Sequence, residues 1–186
     1  MNIHETALSG VLKIVPRRFE DERGFFMETF RQNLFAKAAG DQVIFLQDNH
    51  SFSKDIGTVR GLHYQKPPFA QGKLVRCTRG RINDIAVDIR NGSPSYGQYV
   101  SVELSAENNV QLWIPPGFLH GFSTLEADTE VCYKCTNYYD GGSEGSVIWN
   151  DSELGIYWGI DPDKAILSKK DAIAASFKDL ESPFSI

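Results

Sequence analysis

Arg81-Ile82-Asn83-Asp84-Ile85-Ala86-Val87-Asp88-Ile89, Gln98-Tyr99-Val100-Ser101-Val102-Glu103-Leu104 and Val110-Gln111-Leu112-Trp113-Ile114 follow one another with only short breaks. On an extended chain Ile85, Val87 and Ile89 share one face, as do Val100, Val102 and Leu104, and then Val110, Leu112 and Ile114. A period of two is that of half-buried β-strands. The breaks themselves, Asn91-Gly92-Ser93-Pro94 and Glu107-Asn108-Asn109, are made of turn formers.

The same texture extends in both directions. Val11–Val15, Phe25–Phe30, Val43–Leu46, Val59–Tyr64, Lys73–Arg79, Phe122–Leu125, Glu130–Tyr139 and Ser146–Trp149 read as further strands. Arg79-Gly80, Pro115-Pro116-Gly117 and Asp140-Gly141-Gly142 separate some of them. Helix is scarce: a short one is expected over Arg31–Ala39, closed by Gly40, and another from Ser168 toward Leu180, ahead of Pro183. No repeat or linker interrupts the chain, so residues 1–186 are expected to form a single domain. The expected fold is all-β, a sandwich or jelly-roll barrel with a few short peripheral helices and an interior wide enough for a ligand.

Composition narrows the function. Hydrophobic residues are 41% of the 186, enough for a real core. Nineteen Lys and Arg against 24 Asp and Glu give a net charge of −5, which excludes the broad basic field of a nucleic-acid binder but not a small anionic ligand. No stretch approaches the roughly 20 apolar residues of a membrane span. Met1-Asn2-Ile3-His4-Glu5 lacks the basic-then-apolar pattern of a secretory leader, and three cysteines are too few for a disulfide framework. The expectation is a reduced, cytoplasmic protein with no membrane or nucleic-acid partner.

Four segments carry chemistry. In Arg60-Gly61-Leu62-His63-Tyr64-Gln65 and Gln71-Gly72-Lys73-Leu74-Val75, a histidine and a lysine stand on strands. His63 alone reads as an edge-of-core histidine, but Lys73 shares a face with Val75 and Cys77, and an inward cation needs a partner or a function. Ile114-Pro115-Pro116-Gly117-Phe118-Leu119-His120-Gly121-Phe122 has a P-x-G-x-x-H spacing that resembles the second motif of the cupin barrels, where the histidine points into the barrel mouth. Many cupins bind a metal through this histidine and an H-x-H pair; here the pair reads His63-Tyr64-Gln65, which argues against a metal. In Glu130–Tyr139, Val131, Tyr133, Cys135 and Tyr139 share a face, and two inward tyrosines point to a wet interior. Cys132 and Cys135 lie three apart, on opposite faces of a strand, which rules against a zinc or redox pair. Ser168-Lys169-Lys170-Asp171 is a capping box by spacing, with a histidine-orienting Asp171 as its functional rival.

The ordered set is more specific than any one motif. Asp21-Glu22-Arg23-Gly24-Phe25-Phe26 with Glu28, Gln47-Asp48-Asn49-His50-Ser51, the Arg60–Gln65 and Gln71–Val75 segments, Asp84, Val87-Asp88-Ile89-Arg90, Ser105-Ala106-Glu107-Asn108, Ile114–Phe122, Tyr133-Lys134-Cys135-Thr136, Trp149-Asn150-Asp151 and Leu167–Asp171 occur in order. Together they resemble the dTDP-4-dehydrorhamnose 3,5-epimerases, cofactor-independent enzymes of cupin fold, over nearly the whole chain. The resemblance implies His63 as base, Tyr133 as acid, Lys73 at the enolate oxygen and Asp171 behind His63. It implies Arg23, Arg60 and Lys170 near the diphosphate of a dTDP-4-dehydro-6-deoxy sugar, with Gln47, Asn49, Glu28, His120 and Glu144 around nucleotide and sugar, and Tyr139 and Phe26 on the thymine. It implies a homodimer, with Arg23 and Glu28 reaching the neighbour's site, and neither metal nor cofactor. The odd offset between Arg60 and His63 puts them on opposite faces of a regular strand, so a bulge is required for both to reach one ligand. Three alternatives stay open: a metal-dependent cupin isomerase or oxygenase, a non-catalytic sugar-nucleotide binder, and an epimerase acting at C3 or C5 alone.

Overall fold

The computed structural model describes residues 1–40 and 42–186. Its strands are β1 (Asn2–Glu5), β2 (Leu12–Val15), β3 (Arg18–Asp21), β4 (Gly24–Met27), β5 (Gln47–Ser53), β6 (Val59–Gln65), β7 (Lys73–Arg79), β8 (Arg81–Asp88), β9 (Tyr99–Ser105), β10 (Gln111–Ile114), β11 (Phe118–Thr124), β12 (Thr129–Cys135) and β13 (Glu144–Ser146). They form a six-stranded sheet in the order β1-β2-β10-β7-β12-β5 and a five-stranded sheet in the order β13-β6-β11-β8-β9; β3 and β4 make a separate hairpin. From β5 to β13 the chain changes sheet at every step except the β8–β9 hairpin, and all these pairings are antiparallel. This is the jelly roll that the strand pattern predicts.

Alternation decides which side chains fill the space between the sheets. Val75 and Cys77, Leu112 and Ile114, and Val131 pack from the larger sheet against Ile82, Ala86, Leu104, Phe118 and Phe122 from the smaller. The opposite parity of β8, Ile85 and Val87, packs outward under a C-terminal wrapping that includes Trp149, Trp158 and Leu154. The outer face of the larger sheet is covered by helix α1 (Gln32–Ala39), whose buried Phe35 meets Trp113 edge-on at 5.1 Å. Gly40 ends this helix as expected, at φ +103 with its N–H on the Ala36 carbonyl.

Elsewhere the boundaries differ. Residues 168–180 form not a helix but two 3₁₀ turns, Asp171–Ile173 and Phe177–Asp179. Between them the chain is drawn out because Ala175 pairs with the outer edge at Val147 and accepts the Ile148 N–H at 2.8 Å. Val43–Leu46 lies outside any strand, while polar Gln47–Ser53 forms the edge strand. The Glu130–Tyr139 run leaves the sheet after Cys135, so Tyr139 is exposed and does not share the inner face with Tyr133.

Candidate active site

Apolar packing stops short of one end of the sandwich. There β7 contributes Lys73, β12 Tyr133, β6 His63, β11 His120, and edge strand β5 Asn49 and Gln47. One cavity of about 240 Å³ is lined by Arg60, His63, Lys73, His120, Tyr133 and Asp171, together with Ser51, Phe122, Ser168 and Lys170. A second, of about 420 Å³, shares His63, Lys73 and Tyr133 with it and adds Gln47, Asn49, Tyr139 and Glu144. The two are therefore lobes of one cleft.

Arg60 and His63 reach the same lobe through a β-bulge. His63 pairs with His120, but Arg60 pairs with Phe122, so three steps along β6 match two along β11. Gly61 makes this possible: its φ is +133, and a Cβ there would stand 2.6 Å from the Cα of Gly121. Arg60 is then anchored from the side, its guanidinium donating to the Phe52 carbonyl at 2.9 Å and to Ser53 Oγ at 3.2 Å.

The His63 Nε2–H donates to Oδ1 of Asp171 at 2.6 Å, with the carboxylate nearly buried and the imidazole 27% exposed. An ionised acceptor fixes that tautomer and leaves Nδ1 as the basic nitrogen. Burial would raise the Asp171 carboxyl, but the hydrogen bond and charge of His63, with help from Ser168 and Lys170, hold it below its ordinary range. Ser168 Oγ accepts the Asp171 backbone N–H at 3.1 Å. The capping contact and the histidine contact thus coexist, because one uses the main chain and the other the carboxylate.

Across the cleft the charges are set by burial. Lys73 makes no ion pair or hydrogen bond with the described residues; burial lowers its ammonium below the usual lysine range, with Cys135, Asp84 and Glu144 opposing. Burial foremost pushes the Tyr133 phenol above its usual value. His120 donates from Nε2 to Asp84 at 2.8 Å, and burial depresses its imidazole despite that carboxylate. At the mouth, Glu144 holds the Lys170 ammonium and accepts the Tyr139 hydroxyl at 3.1 Å. Burial works against the Glu144 carboxylate, but these two bonds keep its pKa below normal. Gln47 fixes the loop beyond β12 by accepting the Tyr139 N–H at 2.9 Å and donating to Asn49 at 3.0 Å.

Within one chain, three expected residues stand apart from the cleft. Arg23 pairs with Asp21 at 2.7 Å at the tip of the β3–β4 hairpin, and Glu28 pairs with Arg31 at 2.6 Å. Phe26 is 70% exposed on the same hairpin. Two further residues shape the site. Gln65 is a strut: its amide donates to the Phe69 and Tyr138 carbonyls and accepts the Asp140 N–H, tying together the loops that flank the cleft. Asp84 is an acid at an inward position between Ile82 and Ala86, a parity signal already present in the sequence. Cys132 pairs with His50 and Cys135 with Gln47, placing the two thiols on opposite faces.

A family model described as dTDP-4-dehydrorhamnose 3,5-epimerase matches residues 5–179. The chain is 53% identical over 176 residues to the dTDP-4-dehydrorhamnose 3,5-epimerase of Salmonella typhimurium, covering 94% of each. A crystal structure of the enzyme of that name from Elizabethkingia anophelis superposes with a TM-score of 0.92 at 46% identity, over 96% of this chain and 97% of that one. A dTDP-6-deoxy-D-glucose-3,5-epimerase from Legionella pneumophila, solved in complex with dTDP-4-keto-L-rhamnose, gives 0.92 at 44% identity, over 97% and 94%. With the fold, the cleft and these relatives in agreement, the chain belongs to the dTDP-4-dehydrorhamnose 3,5-epimerase family.

Proposed function

We propose that this chain converts dTDP-4-dehydro-6-deoxy-D-glucose to dTDP-4-dehydro-L-rhamnose, with His63 as the base, Tyr133 as the acid and Lys73 at the developing oxyanion. A ketone at C4 acidifies the hydrogens on C3 and C5. Nδ1 of His63 takes such a proton, the electron pair passes to the C4 oxygen, and a proton returns to the other face of the carbon. Tyr133 suits the return because burial keeps its phenol protonated near neutrality. Lys73, free of any described anionic partner, provides positive charge for the enolate oxygen. The observation that carries this reading is the convergence of His63, Asp171, Tyr133 and Lys73 on one cavity.

The substrate-binding roles follow the lining of the cleft. Arg60 and Lys170 face the diphosphate, and Gln47, Asn49, His120 and Glu144 hold nucleotide and sugar, with Tyr139 against the thymine. Arg23, Phe26 and Glu28 serve the neighbouring subunit of a homodimer; the β3–β4 hairpin on or beside which they lie pairs with no other strand of its own chain, and Phe26 on it is exposed. In this reading the protein works in the cytoplasm as a single domain and needs no cofactor.

The decisive experiment is turnover of dTDP-4-dehydro-6-deoxyglucose in D₂O. Deuterium enters both C3 and C5; label at C3 alone makes the chain a 3-epimerase, and no label at either removes the enzyme reading. His63→Asn abolishes exchange. Tyr133→Phe retains exchange but slows completed inversion, because abstraction no longer has its partner on the opposite face.

A further inference from the structure

Asp84 is wholly buried at an inward position of β8, where Ile82 and Ala86 on either side are apolar. One oxygen, Oδ1, accepts the His120 Nε2–H at 2.8 Å; the other, Oδ2, is buried and has no hydrogen-bond partner. A half-satisfied buried carboxylate is costly; an apolar residue at this position would avoid the cost, and an amide, being neutral, would lessen it. His120 in turn pairs across the strands with His63 and lines the same cavity. Its Nδ1 meets no described donor or acceptor. Two imidazole–carboxylate pairs, His63–Asp171 and His120–Asp84, therefore stand side by side, one with its carboxylate at the periphery and one with it in the core.

We infer that Asp84 is a positioning residue, locking His120 in the Nε2–H form so that Nδ1 is presented to the cavity as a hydrogen-bond acceptor for a hydroxyl of the bound hexose. The inference rests on the epimerase reading, which supplies a sugar with free hydroxyls beside its ketone. In this form neutral His120 has no proton to give the enolate, so Lys73 is left as the donor there, and His120 works by orienting the ring. A neutral histidine without an anionic neighbour exchanges between tautomers, and in the Nδ1–H form it would turn a donor toward the hydroxyl.

The test combines ¹⁵N chemical shifts of the histidine rings in the wild-type protein with steady-state kinetics and thermal unfolding of Asp84→Asn. The expected wild-type spectrum shows His120 protonated at Nε2 and not at Nδ1 near neutral pH. In Asp84→Asn, which keeps the shape and removes the charge, His120 shows mixed tautomers, KM rises about tenfold, as for a weakened hydrogen bond, and kcat changes less. Its melting temperature stays level or rises, because the half-satisfied buried charge has gone. A wild-type His120 carrying its proton on Nδ1 overturns the proposal, and this holds even if the variant fails to fold. Wild-type KM and kcat in a folded Asp84→Asn, or a lowered melting temperature with kinetics otherwise unchanged, overturn it as well and reduce Asp84 to a structural acid. Failure of the epimerase reading looks different: the wild-type protein then exchanges no deuterium, whatever the state of His120.

Discussion

Nε2 of His63 and Oδ1 of Asp171 stand 2.6 Å apart although 108 residues separate them in the chain. Strand β6 supplies the imidazole, and the turn after Ser168 swings the carboxylate behind it. In Asp171→Asn the amide can face the ring through either its oxygen or its nitrogen, so the reactive tautomer is no longer fixed. Turnover should fall by about 10²-fold or more, within the range that a positioned proton-transfer group supplies. Because the nearly buried carboxylate acts through the proposed base, KM should move little, and steady-state kinetics read the split.

Lys73→Met should lose activity and gain stability. Removing one preorganised donor from a developing oxyanion typically costs about 10²–10³ in kcat. Burial lowers the lysine's folded-state pKa, so holding the ammonium form opposes folding at neutral pH, and that opposition fades as pH rises through the folded-state pKa. Methionine fills similar space without the charge. Its melting temperature at pH 7 should exceed that of the wild type, and the gap should narrow at alkaline pH.

The bulge offers a separate test. Gly61→Ala would place a Cβ against the Gly121 backbone at 2.6 Å, in a backbone conformation that side chains rarely adopt. Neither neighbour can yield without moving a strand. The variant should unfold several degrees earlier, and its residual folded fraction should bind dTDP more weakly, because Arg60 and His63 no longer share a cavity; calorimetry reads both.

Asp88, which does not line the cleft, anchors the β8–β9 connection. It accepts from the Arg90 guanidinium at 2.6 Å and from Ser93 and Ser95 at 2.6 and 2.7 Å, while Arg90 also stacks on Phe118. Burial works against the carboxylate, but the Arg90 and serine hydrogen bonds prevail and hold its pKa far below normal. The stabilisation is complete above the ordinary carboxylate pKa and drains away as pH falls below it toward the folded-state value. Asp88→Ala should cost about 3 kcal/mol at pH 7, as when a buried ion pair loses one partner. Denaturant titrations from pH 7 to pH 2 should show that difference shrinking.

How much of this was legible depends on which residues carry the signal. The alternation in Arg81–Ile114 was enough to read the jelly roll, although β8 buries both its faces, Ile82 and Ala86 inward and Ile85 and Val87 under the C-terminal wrapping. Lys73 and Tyr133 were legible by the same parity, being polar at inward positions. The edge strand Gln47–Ser53 was not, since its alternate side chains face solvent and its one apolar residue, Phe52, is among them. The final segment misled, because Ser168 and Asp171 spell a helix start while Ala175 is held extended by Ile148, a contact no local pattern encodes. Arg60 and His63 showed the need for a bulge but not its location at Gly61, which depends on the close passage of Gly121.

The cleft carries its own counter-ion. Glu144 already engages Lys170 and the Tyr139 hydroxyl at the mouth, so in the proposed binding mode an incoming diphosphate does not meet a naked cation there. It must take over from a resident carboxylate, and what it gains at Lys170 is the difference between two anions. Association at that end is an exchange of partners, and ionic strength should weaken it less steeply than the number of basic side chains around the opening would imply.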